Sequence, residues 1–134
     1  MTDICKILKE SKKIVVVGLS KDPSKTSRHI ADFLIENGYE VVGVNPTASA
    51  DIGGIKVYKS IKDIPFEIDI VDVFRRSEDI TEIMEDVLEK NPKVLWLQLG
   101  IRNDEAVKPA IEKGITTIQN KCIKIEYYNC GDLI

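Results

Sequence analysis

A run of four β-branched residues, 14–17, is followed directly by a small-residue loop and then by a helical pattern. Such a run, with no polar interruption, is typical of a strand buried on both faces in a parallel sheet covered by helices. The strand ends at Gly18, and Ile30, Phe33 and Leu34 then share one face of a helix. A loop in this position directs backbone N–H groups and the positive end of a helix dipole toward one point. The sequence therefore predicts an anion site in this loop, and a phosphate suits it best.

Further strands and helices alternate along the rest of the chain. Hydrophobic runs predict five more strands, at residues 39–44, 55–58, 68–74, 94–99 and 115–118. Helical periodicity and capping residues predict helices between them, with Thr2 as the cap of a short first helix and Ser77 and Asn103 as caps of later ones. The fold class is thus α/β, with residues 1–134 forming one domain around a doubly wound parallel sheet. We expect strand order 3-2-1-4-5, with the sixth strand at an edge.

Ligands of such sheets bind outside the carboxyl ends of the strands, at the point where the strand order reverses. Here that point lies between the first and fourth strands. The rule brings together four segments of the chain, residues 18–27, 45–54, 74–77 and 98–103. We therefore expect the functional site at this edge of the sheet.

Composition excludes some classes of partner. A net charge of -3 gives no general attraction to nucleic acid. No apolar run approaches the ~20 residues of a membrane helix, and the N-terminus lacks the layout of a secretory signal. We expect a cytoplasmic protein. Its three cysteines, Cys5, Cys122 and Cys130, have no metal-ligand spacing, and we expect three free thiols.

The first loop matches neither of the common nucleotide motifs. It has one glycine where the dinucleotide fingerprint has three, and the second strand ends in Asn45 rather than in an acidic residue. A Walker loop is also absent, because no Gly-Lys-Ser/Thr follows the strand. NAD is therefore a weak candidate. What remains is an anion loop with the hydroxyls of Ser20 and Ser27 and the cations Lys21, Lys25 and Arg28; alternatively, Ser27 only caps its helix and the lysines are solvated.

Arg75 follows the fourth strand directly, and we expect it rather than Arg76 to bind the phosphate. The alternative is a surface ion pair between Arg75 and Glu78 or Asp79. His29 is expected on a helix surface, since no nucleophile or carboxylate is placed to act with it. Without a nucleophile and base pair, the residues favour binding over catalysis.

With these residues assembled, the sequence resembles the stand-alone CoA-binding domain family, which is similar in fold to the CoA-binding domain of the succinyl-CoA synthetase α subunit. The segments that carry the resemblance are residues 17–20 with Pro23, Lys25 and Ser27, then 38–46, 68–75, 95–101 and 122–127. Their joint order and spacing are specific, although each alone is weak.

The resemblance implies coenzyme A or an acyl-CoA at the switch point, with the diphosphate on the first loop. By matching position, it implies these ligand contacts: Gly18, Ser20, Pro23, Lys25 and Ser27 around the phosphates, Asn45 and Pro46 beside the nucleotide, Val73, Phe74 and Arg75 opposite, and Gln98 and Gly100 toward the pantetheine. From the residues alone, Gln98 could equally serve to cap a loop. Two positions depart from the family pattern. Lys25 and Lys121 stand where an arginine is common, and a lysine cannot form the forked hydrogen bonds of a guanidinium.

Alternatives to a non-catalytic binder of CoA remain open from the sequence. One is an enzyme that uses another phosphorylated nucleotide such as NADP, whose 2′-phosphate the basic residues would bind. Another is a regulatory subunit in which Cys122 forms a mixed disulfide with the CoA thiol. The sequence also leaves open a homo-oligomer or a partner enzyme that supplies catalysis.

Overall fold

The hydrophobic runs form six parallel strands in the computed structural model, which describes residues 2–131. Met1 and residues 132–134 of the predicted domain lie outside the described part. The strands are β1 (Lys13–Val17), β2 (Glu40–Val44), β3 (Val57–Tyr58), β4 (Ile70–Val73), β5 (Val94–Leu97) and β6 (Thr116–Ile118). The helices are α1 (Ile4–Glu10), α2 (Thr26–Glu36), α3 (Thr81–Lys90), α4 (Asp104–Glu112) and α5 (Ile123–Asn129), and short 3-10 turns lie at Ile61–Asp63 and Ser77–Asp79.

The strand order is β3-β2-β1-β4-β5-β6, and every strand pair is parallel. The predicted α/β class, the doubly wound sheet and the edge position of the sixth strand are therefore confirmed. In register, Val17 of β1 lies between Val44 of β2 and Val73 of β4. The strand order reverses at this place. Because the strands are parallel, the loops that follow these three strands leave the same edge of the sheet next to one another.

Alternate residues of each strand enter two separate cores. Val15 and Val17 pack with α3 and α4 on one face, whereas Ile14 and Val16 pack with α1, α2 and α5 on the other. Each core is apolar over most of its extent, as expected for a sheet covered on both sides. The strands are thereby held rigidly enough to fix the loops at their carboxyl ends.

Two predicted helix caps are wrong. Asp3, not Thr2, caps α1, because its Oδ1 accepts the N–H of Lys6 at 3.0 Å. Ser77 does not cap α3, because residues 77–79 form a 3-10 turn and the helix begins later, at Thr81. The Ser77 hydroxyl instead accepts the N–H of Arg102 at 3.0 Å and ties the loops after β4 and β5 together. The predicted cap Asn103 is confirmed, since its Oδ1 accepts the N–H of Ala106 at 3.0 Å.

The expectation of three free thiols is also wrong, because Cys5 and Cys130 form a disulfide. Their separation of 125 residues carries no spacing signal. The pair meets because α1 and α5 pack against each other on the same face of the sheet. Cys122 is free and half-buried.

Asp72 lies in the middle of β4 with no accessible surface, and neither carboxylate oxygen has a hydrogen-bond partner within the described residues. It stands between Val16 and Trp96 in the sheet register. Burial away from water raises the pKa of this carboxyl well above its usual value of 3.8. The side chain is therefore a neutral acid over a wider pH range than an exposed aspartate.

Candidate functional site at the sheet switch point

A cavity of about 780 Å³ opens at the carboxyl edge of β1 to β4. Its wall comes from four loops and from one face of α3. The lining residues are Val17, Gly18, Leu19, Ser20, Lys21, Asp22, Val44, Asn45, Pro46, Thr47, Lys59, Ser60, Ile61, Arg75, Glu82, Ile83 and Asp86. Of the predicted contact residues, the structure brings Gly18, Ser20, Asn45, Pro46 and Arg75 together around this space.

Gly18 allows the loop after β1 to pass close to the loop after β4. Its φ is +89°, and a Cβ at this position would lie 2.5 Å from the carbonyl oxygen of Phe74. Both the backbone conformation and the lack of space exclude a larger residue. The close approach places the start of the first loop on the cavity wall.

The first loop is held by its own hydroxyls. The Ser27 hydroxyl, almost fully buried, accepts the N–H of Ser20 at 3.0 Å, so Ser27 stabilises the loop rather than its own helix end. The Ser20 hydroxyl in turn accepts the N–H of Asp22 at 3.0 Å. Asp22 accepts the N–H and the hydroxyl of Ser24, and the backbone bond is the main reason that the pKa of its carboxyl is lowered. The loop is therefore preorganised.

Arg28 braces this loop from behind. Its Nη1 donates to the carbonyl oxygens of Ser20 and Lys21 at 3.4 and 3.3 Å. A Cβ at Gly53 would lie 2.1 Å from Nη2 of Arg28, so the glycine leaves the room that the guanidinium occupies. The side chain thus links the first loop to the loop before β3 and does not line the cavity.

Asn45 connects the loops after β1 and β2. Its Nδ2 donates to the carbonyl oxygen of Leu19 at 3.0 Å, and its Oδ1 accepts the N–H of Thr47 at 2.9 Å. Lys21 closes the same junction, because its Nζ donates to the carbonyl oxygen of Thr47 at 3.1 Å. The two loops therefore form one continuous wall, with Pro46 on its surface.

Arg75 faces the cavity from the β4 side, as predicted, but it also has acidic neighbours. Its Nη2 lies 3.9 Å from Asp79 and 3.7 Å from Glu82, and its side chain is 29% exposed. Arg76 is 75% exposed and its Nε binds Asp79 at 2.9 Å, which is the main reason that the pKa of that carboxyl is lowered. Asp79 is thus held mainly by Arg76, and Arg75 keeps only long contacts that a phosphate can replace.

Seven of the predicted contact residues lie outside the cavity wall. Pro23 and Lys25 are exposed farther along the first loop, and Ser27 lies buried behind it. Val73 is fully buried, and Phe74 packs against the core on the α2 side. The Oε1 of buried Gln98 accepts the N–H of Ile123 at 3.1 Å, and the N–H of Gly100 donates to Asn120 at 2.7 Å. Their ligand contacts stay predictions.

Sequence reasoning missed two parts of the wall, Lys59 to Ile61 and the α3 residues Glu82 and Asp86. Lys59 directly follows β3, so the rule that selected the other strand ends could have found it. Glu82 and Asp86 are one helical turn apart and lie on either side of Ile83. The helical periodicity places Ile83 on the inner face of α3, so it could also have indicated these two neighbours. The wall therefore carries three cations and three carboxylates.

A second cavity, of about 450 Å³, lies at the opposite edge of the sheet. It is lined by Lys13, Ile35, Tyr39, Glu40, Val41, Val42 and Phe66. Among residues 2–131, no helix combines the length and apolarity needed to cross a membrane. The same residues contain no group of three or more His, Cys, Asp or Glu side chains suited to a metal ion.

A doubly wound parallel sheet with an open cavity at its switch point defines a Rossmann-like domain. Residues 12–128 match the family model described as CoA binding domain. The chain therefore belongs to the CoA-binding domain family, and this membership supports binding of CoA in general.

Individual relatives agree with this assignment. The protein YneT of Bacillus subtilis is 43% identical over 125 residues, covering 93% of this chain and 92% of the relative. The α subunit of ADP-forming acetate–CoA ligase I of Pyrococcus furiosus is 34% identical over 89 residues, covering 63% of this chain but only 19% of that subunit. A solved structure from Pyrococcus horikoshii OT3 superposes with a TM-score of 0.91 at 36% identity, covering 97% of this chain and 92% of that one. These findings do not favour the alternative of an NADP enzyme.

Proposed function

We propose that this chain binds coenzyme A, or an acyl thioester of it, in the cavity at the switch point, and that it catalyses no reaction of its own. The observation that carries the proposal is the meeting of the loops after β1, β2, β3 and β4 around one space of about 780 Å³. This volume lies within the range of roughly 300–1,000 Å³ that small-molecule and cofactor sites occupy. The site is large enough for a nucleotide with an attached arm.

The first loop supplies donors for a diphosphate. Neither Leu19 nor Lys21 donates its backbone N–H to another backbone or side-chain group within residues 2–131. Both residues line the cavity, and the ammonium of Lys21 lies on the same loop. Arg75 approaches from the β4 side with a guanidinium that can form forked hydrogen bonds to phosphate oxygens. The chemistry of these two loops supports the binding of a diphosphate between them.

The same wall supports a binding role over catalysis. Its residues include three cations and three carboxylates, but no histidine and no cysteine. The Ser20 hydroxyl accepts the N–H of Asp22. The other serine of the wall, Ser60, donates its hydroxyl to the Asp63 carboxylate at 2.8 Å at the adjacent 3-10 turn, without a histidine in the wall beside it to complete a triad. An acyl transfer needs an activated nucleophile or a positioned acid and base. In our proposal these groups come from a partner enzyme, as does the acyl acceptor.

Isothermal titration calorimetry tests the binding. Wild-type protein should bind one CoA per chain, and Arg75→Ala should weaken binding about tenfold or more through loss of a charge-assisted contact. Arg102→Ala is the matched control, because that exposed arginine pairs with Asp104, does not line the cavity and has no contact with the acidic neighbours of Arg75. Absence of binding at millimolar CoA, or equal weakening by both variants, would contradict the proposal.

A second experiment addresses catalysis. Acetyl-CoA incubated with the protein, alone and with phosphate and ADP, should remain intact when it is followed by mass spectrometry. Protein-dependent loss of the thioester, abolished by Arg75→Ala, would show that the chain is an enzyme.

A further inference from the structure

We infer that Lys59 binds a second, separate phosphate of the ligand, namely the 3′-phosphate that distinguishes coenzyme A from dephospho-CoA. This inference rests on the proposed function and adds the residue that sets its specificity. Lys59 follows β3 directly and lines the cavity from the side opposite Arg75.

The sheet geometry separates Lys59 from the diphosphate loop. In the order β3-β2-β1, the strand before Lys59 lies two places from the strand before Gly18. Neighbouring strands are about 4.8 Å apart, so the two strand ends are separated by about 10 Å. A single phosphate meets both only if the Lys59 side chain extends fully toward the first loop. A ligand that fills both ends of the cavity can instead carry two anionic groups, a diphosphate on the first loop and a separate phosphate beside Lys59.

Lys59 is also the cavity cation without a partner in the described part of the chain. Lys21 donates to the carbonyl oxygen of Thr47, and Arg75 lies near Asp79 and Glu82. No carboxylate of residues 2–131 lies within 4.0 Å of the Lys59 ammonium, which is exposed beside the cavity. A phosphate that binds there displaces water only and breaks no existing ion pair.

The carboxylates of α3 restrict where that phosphate can lie. Glu82 and Asp86 line the α3 wall, and like charges repel a phosphate from it. At the β3 end, the wall residues from Lys59 to Ile61 and those of the loop after β2 include no acidic residue. Glu82, whose Oε1 lies 3.7 Å from Nη2 of Arg75, disfavours a phosphate on the adjacent part of α3, and Lys59 supplies a positive charge at the β3 end. Coenzyme A carries its 3′-phosphate on the ribose, apart from the diphosphate. The 3′-phosphate can therefore lie beside Lys59 while the diphosphate lies on the first loop.

The test measures the affinities of CoA and dephospho-CoA for four proteins: wild type, Lys59→Met, Lys59→Arg and Lys62→Met. Lys62 is the matched control, an exposed lysine on the adjacent 3-10 turn that does not line the cavity. Wild type should prefer CoA by about tenfold, as expected for one charge-assisted contact. Lys59→Met should remove that preference by weakening CoA alone. Lys59→Arg should retain it, and Lys62→Met should behave as wild type.

The outcomes separate this inference from the proposed function. If wild type binds CoA and dephospho-CoA equally, or if Lys59→Met weakens both ligands alike or neither, the role of Lys59 is overturned while CoA binding stands. If wild type binds neither ligand, the proposed function itself fails. The preference of wild type for CoA should also shrink as salt is raised, because Lys59 is exposed and its attraction to phosphate is screened.

Discussion

Removing the disulfide between Cys5 and Cys130 should lower the free energy of unfolding by an amount that depends on the length of chain between the two cysteines. The bond closes a loop of about 125 residues, nearly the whole chain. Restriction of the unfolded chain by a loop of this length is worth about 5 kcal/mol at 25 °C in the chain-entropy model. Cys5 is exposed, so Cys5→Ser removes little packing. We therefore expect a loss of about 3–5 kcal/mol, or roughly 15 °C in melting temperature.

The assay is guanidinium unfolding of wild type and Cys5→Ser, each with and without dithiothreitol. Under oxidising conditions the variant should unfold at lower denaturant, and under reducing conditions the two proteins should nearly coincide. Cys122→Ser is the control, because Cys122 takes no part in the disulfide and should leave the response to dithiothreitol unchanged. If wild type and Cys5→Ser differ by less than 1 kcal/mol when both are oxidised, the disulfide does not constrain the chain as described.

Three further predictions address single positions. Asp72→Asn should stabilise the protein at neutral pH. The folded-state pKa of Asp72 is raised, so its contribution to stability is present at low pH and is lost as pH rises toward that pKa. In urea unfolding from pH 4 to 8, the difference in unfolding free energy between variant and wild type should grow with pH, and a constant difference would refute the buried neutral acid. Gly18→Ala should destabilise by more than 1 kcal/mol and weaken CoA, since its Cβ would meet the carbonyl of Phe74 at 2.5 Å; a neutral effect in both thermal melting and calorimetry would contradict the close approach of the two loops. Gln98→Ala should cost about 1–3 kcal/mol in denaturant unfolding, because the buried N–H of Ile123 loses its acceptor; an unchanged free energy of unfolding would contradict that hydrogen bond, and calorimetry of the same variant with CoA tests the predicted contact with the pantetheine.

The fold was accessible from the sequence because its strands are chemically simple. Strands buried on both faces of a parallel sheet show uninterrupted hydrophobic runs, and residues 14–17 and 94–97 have them. Once the alternation with helices is clear, the right-handed crossover rule leaves few strand orders. Asn103 was a reliable cap because an Asn precedes an acidic first turn there.

Features that depend on contacts between distant residues were not accessible. Cys5 and Cys130 meet only after α1 and α5 have packed on the sheet, so no local pattern marks the disulfide. Ser77 has the composition of a helix cap, but a tertiary bond to the backbone of Arg102 uses its hydroxyl. A tertiary contact overrode the local propensity at Ser77, whereas the two cysteines carry no local signal at all.

The site was predictable in position more than in detail. The switch-point rule located the loops that carry Gly18, Asn45 and Arg75, and all three lie on the cavity wall. The rule does not say which way a side chain points once the strand has ended. Gln98 follows its strand as Arg75 does, yet it turns inward to the start of α5.

The central claim is that CoA binds where the loops after β1 to β4 meet. It is tested most directly by titrating ¹⁵N-labelled protein with CoA and following backbone amide shifts by NMR. The largest changes should fall on Gly18 to Asp22, Thr47, Lys59 to Ile61 and Arg75, the amides that border the cavity. Changes centred instead on Ile35, Val41 and Phe66, around the second cavity at the opposite edge, would contradict the account.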